Sequence, residues 1–166
     1  AYILKIDIFY ALMLGATIST LYTLRGGFAS IIKTDILQFI LMFFGFGYMA
    51  FYLYFNYGGY NFLSSNLPEK MLSFPGDLNW TYIFTWSFIA LITFVDPSFY
   101  QRVYSATNKQ TAKNGIYISI CFWFIFDILS ITVGLYSAAI LPEIAFSPYI
   151  DIAELVLPPF LKGLFI

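Results

Sequence analysis

Four long apolar runs organise this sequence, and the charge of the gaps between them changes from one gap to the next. The runs cover residues 8–24, 36–55, 80–95 and 116–141. The gaps after the first and third runs hold most of the basic residues, which are Arg25, Lys33, Arg102, Lys109 and Lys113. The other two gaps are slightly acidic. Because Lys and Arg are retained on the cytoplasmic side of a membrane-threaded chain, the sequence predicts a polytopic membrane protein.

Run length and composition lead to the same prediction. A transmembrane helix needs about 20 apolar residues to cross a hydrocarbon core of roughly 30 Å. Only 10% of the residues are charged, against about 25% in a soluble domain. The predicted fold class is an all-α membrane protein with four transmembrane helices, in one transmembrane domain over residues 1–166. The spans are expected at residues 6–24, 32–55, 79–95 and 115–141, with the start of a further span at 158–166.

Several function classes are excluded by composition. The formal net charge is −1, which gives no electrostatic footprint for nucleic acid. The single cysteine, Cys121, lies inside an apolar run, so no disulfide framework or cysteine-based metal cluster is expected. The chain has no histidine, and no Ser/His/Asp set, nucleotide-binding glycine loop or metal-ligand spacing is visible. We therefore predict that it is not an enzyme.

The distribution of Lys and Arg also predicts an orientation. The basic gaps belong on the cytoplasmic side, which places the N-terminus outside and gives spans running inward, outward, inward and outward. Lys5 and Lys162 fall on the outer side, where their long stems can snorkel to the interface. The sequence starts at Ala1 without an initiator Met and stops as a new apolar run begins. We interpret it as an internal piece of a longer membrane protein.

Turn and cap signals predict the connections. The pair Gly26-Gly27 is expected to form a tight break, since glycine adopts backbone conformations that other residues resist. Residues 56–79 are rich in Gly, Asn, Ser and Pro and predict an external loop. Asp96-Pro97 and Ser147-Pro148 each place a capping residue before a proline at the first helical position. These pairs predict a short cytoplasmic helix to Ala106 and a short external helix to about Leu157.

One carboxylate, Asp127, lies near the centre of the fourth predicted span. A charge there costs about 2.5 kcal/mol or more, so the side chain should face protein or water. It shares a helical stripe with other polar or small residues: Ser119, Trp123, Ser130, Gly134 and Ser137. Asp127 could line a solute or ion path, or it could be satisfied by hydroxyls or an amide on a neighbouring helix.

A second polar group, Asp35 with Gln38, stands at the cytoplasmic mouth of the second span. The two residues are one helical turn apart, so both can point into the helix bundle. They could form a cation site or gate at an inner vestibule. Alternatively, Asp35 is an interfacial carboxylate paired with Lys33, Arg25 or Arg102.

The third span carries hydroxyls at Thr85, Ser87 and Thr93. They could bind a polar solute if the helix were broken, but this run contains no Gly or Pro that would demand a break. Ser and Thr within membrane helices usually bond back to the backbone. Both interpretations stay open.

Three motifs resemble those of the sodium:solute symporter family. The segment YTLRGGFASIIKTDILQ at residues 22–38 resembles its helix–turn–helix signature. The segment DPSFYQRVYSA at residues 96–106 is similar to its cytoplasmic Gln-Arg motif, and PPFLKGL at residues 158–164 to the entry of its following helix. The three motifs occur in the family's order and extend over nearly the whole chain.

The resemblance implies a LeuT-type fold of two inverted five-helix repeats, with ligands bound near the membrane midplane. It also implies roles: Asp35 and Gln38 on the sodium exit path, Arg102 and Gln101 at the inner gate. The main Na⁺ ligands of this fold belong to helices that are incomplete here. The sugar-carrying branch of the family has an Asn and a Tyr-Trp pair on this span. The matching positions in this chain are about Ile89, Ile92 and Thr93. This departure leaves the solute open.

The expected function is part of a sodium-coupled symporter for a small organic solute, working by alternating access. Thr85, Ser87, Thr93 and Asp127 are its candidate solute and ion pathway residues. The expected partners are the lipid bilayer, the sodium ion and the solute, without nucleic acid, and the expected location is the plasma membrane. The alternative is a membrane sensor or scaffold domain built on the same fold and fused to a signalling module.

Overall fold

The computed structural model describes residues 6–141, 143 and 147–165, and within these ranges the protein is helical and contains no β-strand. The α-helices are α1 (Ile8–Tyr57), α2 (Tyr60–Asn66), α3 (Glu69–Leu72), α4 (Trp80–Ile89), α5 (Pro97–Tyr104), α6 (Lys109–Ile140), α7 (Pro148–Val156) and α8 (Pro159–Phe165). A 3₁₀ helix, Ala90–Phe94, continues from α4. The predicted all-α class is confirmed.

The first two predicted spans both lie within the 50-residue helix α1, which is interrupted at Gly27. Gly27 has φ 55° and ψ −155°, a backbone conformation that favours glycine. Gly26 is also constrained, because a Cβ added there would lie 2.3 Å from the Cβ of Ser30. The break predicted at Gly26-Gly27 is therefore confirmed.

The predicted count of four spans is not reproduced by helix length and hydropathy. In the described part of the chain, α1 and α6 are long and apolar enough to cross a membrane, and the mean hydropathy of an 18-residue stretch is 1.8 in α1 and 2.1 in α6. A third span results if α4, the 3₁₀ helix and α5 are counted as one bent crossing, with an angle of 48° at the break. The number of candidate membrane spans is thus two or three, because α1 counts as one helix and residues 79–95 alone do not pass as a span.

The third predicted span changes its helical geometry without an internal Gly or Pro. The α-helix ends at Ile89, and residues 90–94 follow as a 3₁₀ helix before the bend into α5. Pro97 accounts for the end of the 3₁₀ helix at Phe94, because proline has no backbone N–H to donate and restricts the residue before it. Helix ends commonly tighten into a 3₁₀ turn.

The second half of α1 and helix α6 run in the same direction. Aromatic contacts advance together along both helices: Phe39 meets Phe122 with ring centroids 5.0 Å apart, and Phe46 meets Phe126 at 4.9 Å. Further along, the Tyr136 hydroxyl donates to the carbonyl of Gly58, just after α1. This parallel arrangement agrees with the predicted order, in which the second and fourth spans both run outward.

The hydrophobic core lies at the C-terminal end of this helix pair, where α1, α2, α6 and α7 meet. We call this region the packed end. Its buried side chains are Phe46, Met49, Ala50, Leu53, Leu63, Leu67, Val133, Tyr136, Ile152, Ala153, Val156 and Leu157. The Ser137 hydroxyl, also buried, donates to the carbonyl of Pro148 at 2.8 Å and ties α6 to the start of α7.

The two short helices predicted from the proline signals are both present, but their caps differ. Asp96 caps α5 by accepting a hydrogen bond from the Ser98 N–H at 2.8 Å. Ser147 precedes Pro148 and α7, yet its side chain forms no capping hydrogen bond. The segment expected as a loop also contains α2 and α3, since Leu63 of α2 and the following Leu67 are buried at the packed end.

Candidate functional site

Asp35 and Arg102 form an ion pair between α1 and α5, with Arg102 Nη2 2.8 Å from Asp35 Oδ2. They are 67 residues apart in the sequence, so the fold alone brings them together. Three cations were possible partners of Asp35, and the structure selects Arg102. The pair is only partly buried by the described residues, since 42% of the Asp35 side chain and 49% of the Arg102 side chain remain exposed.

Helix α5 presents Arg102 to Asp35 through contacts at its own first turn. The second guanidinium nitrogen, Nη1, donates to the carbonyl of Ser98 at 3.2 Å, which orients the side chain along the helix. The Ser98 N–H hydrogen bond to Asp96 is the main reason why the pKa of Asp96 lies below its ordinary value, and the positive charge of Arg102 adds to the effect. The ionised form of Asp96 is therefore favoured, and the start of α5 carries a negative charge near Arg102.

The other two residues assigned to this region, Gln38 and Gln101, lie beside the ion pair in sequence. Gln38 follows Asp35 by one turn of α1, and Gln101 precedes Arg102 on α5. Both are exposed. The roles of these two amides beside the ion pair stay predictions.

Asp127 is exposed on α6, and the described part of the chain supplies no hydrogen-bond donor or cation to its carboxylate. The nearby Ser130 hydroxyl donates instead to the backbone carbonyl of Asp127, at 3.1 Å. The polar stripe is divided by burial, because Ser119 and Trp123 are exposed whereas Ser137 is buried. The expected partner on a neighbouring helix is therefore not found within the described residues.

The hydroxyls of the third span bond back to their own helix. Thr85 Oγ1 donates to the Thr81 carbonyl and Ser87 Oγ donates to the Ile83 carbonyl, both at 2.8 Å. This is the backbone interaction that Ser and Thr commonly make in membrane helices. Thr93 lies in the 3₁₀ helix and is exposed.

Two cavities lie next to the helices that carry these candidate residues. One of about 790 Å³ lies between the segment at residues 70–78 and helix α4, and Tyr82, Trp86 and Ser87 contribute to its wall. At its rim, Lys70 Nζ lies 2.6 Å from Asp77 Oδ2, and this contact raises the pKa of Lys70. A second cavity of about 310 Å³ lies between α1 and α6 and is mainly aromatic.

A contact that the sequence did not suggest closes the bend before α5. The Tyr100 hydroxyl donates to the carbonyl of Phe94 at 2.5 Å. Proline at the start of α5 was the only available signal, because it leaves a nearby carbonyl without its helical donor. Within the described ranges, no three Asp, Glu, Cys or His side chains are grouped so that they could hold a metal ion.

The long apolar helices α1 and α6, with the bent α4–α5 pair as a possible third span, define an integral, multi-pass membrane protein of the all-helical class. The model of the sodium:solute symporter family matches residues 1–166, and the chain belongs to that family. No curated protein and no solved structure matches the chain. Family membership gives sodium-coupled transport as the general function, with sodium as the coupling ion, and nothing in the comparisons favours the sensor alternative.

Proposed function

We propose that the chain belongs to a symporter for a small organic solute that works by alternating access, and that the Asp35–Arg102 ion pair is a reversible contact of its inner gate. The observation that carries this proposal is the pair itself. It joins two helices that the sequence keeps 67 residues apart. Its atoms meet at 2.8 Å while both side chains stay exposed to a large extent.

A solvated ion pair of this kind is suited to repeated opening. Exposed pairs are worth about 0–1 kcal/mol, so thermal motion and a competing cation can separate the two side chains. A sodium ion leaving the midplane would meet the Asp35 carboxylate, displace Arg102, and pass on because the carboxylate binds it weakly. A site on an exit path must bind weakly enough to let the ion leave. Gln38 and Gln101 would supply further oxygen atoms to the hydrated ion.

The parallel direction of α1 and α6 supports the four-span topology. Two helices that cross a membrane in the same direction need a return crossing between them. Residues 79–95, with α5, are the apolar helical segment available for it in the described part of the chain. At 1.5 Å per residue α1 is about 75 Å long, more than twice the hydrocarbon thickness. Its break at Gly27 allows two crossings, as a LeuT-type arrangement requires.

In this topology the end of the bundle that holds the Asp35–Arg102 ion pair is cytoplasmic and the packed end is extracellular, with the N-terminus outside in the plasma membrane. Single cysteines at Thr107 and Ser64, in a Cys121→Ser background, test the assignment by labelling from each side of intact cells. Thr107→Cys should label from the cytoplasm and Ser64→Cys from outside. Labelling of both from one side removes the topology.

Asp127, Thr85, Ser87 and Thr93 are proposed to face the solute and ion pathway. The support for Asp127 is the absence of a partner within the described residues, because an isolated charge at this depth is costly unless it faces water or protein. Asp127→Asn should reduce sodium-dependent uptake with membrane expression near that of the unaltered carrier. Loss of expression together with uptake would assign the residue to folding.

The gate proposal is tested by uptake into proteoliposomes containing the complete carrier with Asp35→Asn. Removing an exposed pair worth up to about 1 kcal/mol corresponds to roughly a fivefold change in rate, and we expect turnover to fall by that order. The apparent solute affinity should change much less. Asp35→Glu keeps the charge and should recover part of the rate, and Leu37→Ala on an exposed position of the same helix is the matched control. Normal turnover in Asp35→Asn would refute the gate assignment.

A further inference from the structure

The bend between the 3₁₀ helix and α5 leaves the backbone carbonyl of Phe94 without a helical donor. Phe94 would ordinarily receive the N–H of Ser98, but that N–H is bound to the Asp96 carboxylate at 2.8 Å. Pro97 has no N–H to offer. The Tyr100 hydroxyl takes their place and donates to the Phe94 carbonyl at 2.5 Å. The hydrogen bond thus crosses the bend and joins the two helical segments.

Tyr100 and Arg102 point in different directions from α5. Successive helical residues differ by about 100°, so positions 100 and 102 lie on nearly opposite sides of the helix. Tyr100 contacts the 3₁₀ helix on one side, and Arg102 contacts Asp35 of α1 on the other. Helix α5 is therefore held by two contacts. The Tyr100–Phe94 contact sets the direction of α5 and thus where α5 places Arg102 relative to Asp35.

We propose that Tyr100 is a positioning residue for the inner gate: its hydrogen bond to Phe94 fixes α5 at the bend and thereby aims Arg102 at Asp35. The effect on transport rests on the proposed gate function. The effect on the geometry of α5 does not. A phenylalanine at this position keeps the ring, which packs edge-on against Phe99 and stacks on Tyr104, and removes only the donor.

Tyr104→Phe is the matched control. Tyr104 lies one turn further along α5, its side chain is 81% exposed, and its hydroxyl has no hydrogen-bond partner within the described residues. Both substitutions remove one phenolic hydroxyl from the same helix. A difference between the two variants therefore reports the Tyr100–Phe94 contact and not the general polarity of α5.

The geometric experiment uses spin labels on the complete carrier in nanodiscs. Cysteines at Leu37 on α1 and Thr107 after α5, both exposed, are labelled in a Cys121→Ser background, and their distance distribution is recorded by pulsed EPR. Tyr100→Phe should broaden and shift this distribution, and Tyr104→Phe should leave it unchanged. An unchanged distribution in Tyr100→Phe would overturn the proposal, whatever its uptake.

The transport experiment is a double-substitution cycle in proteoliposomes. Loss of one hydrogen bond corresponds to roughly a 2- to 10-fold effect, and Tyr100→Phe should lower maximal turnover within that range with little change in solute KM. In an Asp35→Asn background the same substitution should have no further effect, since residues acting through one contact are non-additive. Additive effects would show that Tyr100 acts elsewhere and overturn the proposal.

The two experiments separate the positioning role from the gate function. If Tyr100→Phe changes the distance distribution while both Tyr100→Phe and Asp35→Asn transport normally, Tyr100 positions α5 and the gate function is wrong. If Asp35→Asn slows turnover and Tyr100→Phe changes neither distance nor rate, the gate function stands and the positioning role is wrong.

Discussion

The two ends of the α1–α6 helix pair are stabilised in different ways. At the packed end, Met49, Leu53, Val133 and Ile152 are fully buried, and backbone carbonyls at the helix connections receive side-chain hydrogen bonds. Asp35 lies roughly 21 Å before Met49 along α1, at 1.5 Å per residue. There it meets Arg102, with both side chains largely exposed. We call this second region the ion-pair end.

This difference suits a carrier that opens on one side at a time. Close-packed side chains resist small displacements because a shifted core loses contacts on every side. A single solvated ion pair can break and reform at little cost. The proposed mechanism therefore predicts that the ion-pair end rearranges during transport while the packed end moves as a unit. Four predictions test this comparison, and they run from the largest expected effect to the smallest.

Met49→Ala should destabilise the carrier most. Met49 is 0% exposed, and truncating a buried Met to Ala typically costs about 2–5 kcal/mol through lost contacts and the remaining cavity. Leu37→Ala is the control, because Leu37 lies towards the ion-pair end of the same helix and is 58% exposed. Thermal unfolding of the purified carrier in detergent measures both. Equal midpoints for the two variants would contradict the comparison.

Two glycines on α1 give a sharper test of packing. A Cβ at Gly45 would lie 2.4 Å from Cδ2 of Phe165 on α8, whereas nothing lies within 4 Å of a Cβ at Gly47. Overpacking costs about 1–3 kcal/mol, while Ala in place of Gly gains up to about 1 kcal/mol in helix propensity. Gly47→Ala should therefore maintain or raise the thermal midpoint, and Gly45→Ala should lower it. The reverse order would show that α8 does not approach α1 this closely.

Asp35→Asn should have little effect on the thermal midpoint, although we expect it to slow transport. An exposed ion pair contributes about 0–1 kcal/mol, and salt screens it. Raising the ionic strength should accordingly lower the thermal midpoint of the unaltered carrier at most slightly more than that of Asp35→Asn. A loss of stability as large as that of Met49→Ala would mean that the ion-pair end is also a rigid part of the fold.

The smallest effect concerns Asp96 and pH. Because folding lowers the pKa of Asp96, its cap contributes stability above the ordinary pKa and loses it as pH falls through the lower folded value. The start of α5 should thus stay protected between pH 8 and 5 and loosen only at more acidic pH. Hydrogen exchange at the Ser98 amide measures this, and Asp96→Asn, which keeps a capping oxygen, should show no such dependence. Loosening near neutral pH would point to another titrating group.

The hydroxyls of α4 and the cap of α5 were foreseeable because they depend on neighbours within a few residues. Thr85 and Ser87 bond to carbonyls four residues earlier, and Asp96 caps an amide two residues later. The partner of Asp35 could be narrowed to three cations and no further. Which of the three cations pairs with Asp35 depends on where the bend places α5. The 3₁₀ helix before the bend has no sequence signal besides Pro97, so that placement could not be predicted.

By itself, the sequence determined that this is a helical membrane protein, where its apolar segments lie, and that the chain breaks at Gly27. Apolar length, charge distribution and glycine conformation are properties of adjacent residues, so they can be read along the chain. Only the tertiary structure decided that Arg102 meets Asp35, that Tyr100 closes the bend, and that the core gathers at one end. The first and the last of these depend on segments distant in sequence, whose relative placement follows from the packing of whole helices against one another. The Tyr100 contact joins residues six apart, and it depends on the angle at which α5 leaves the bend.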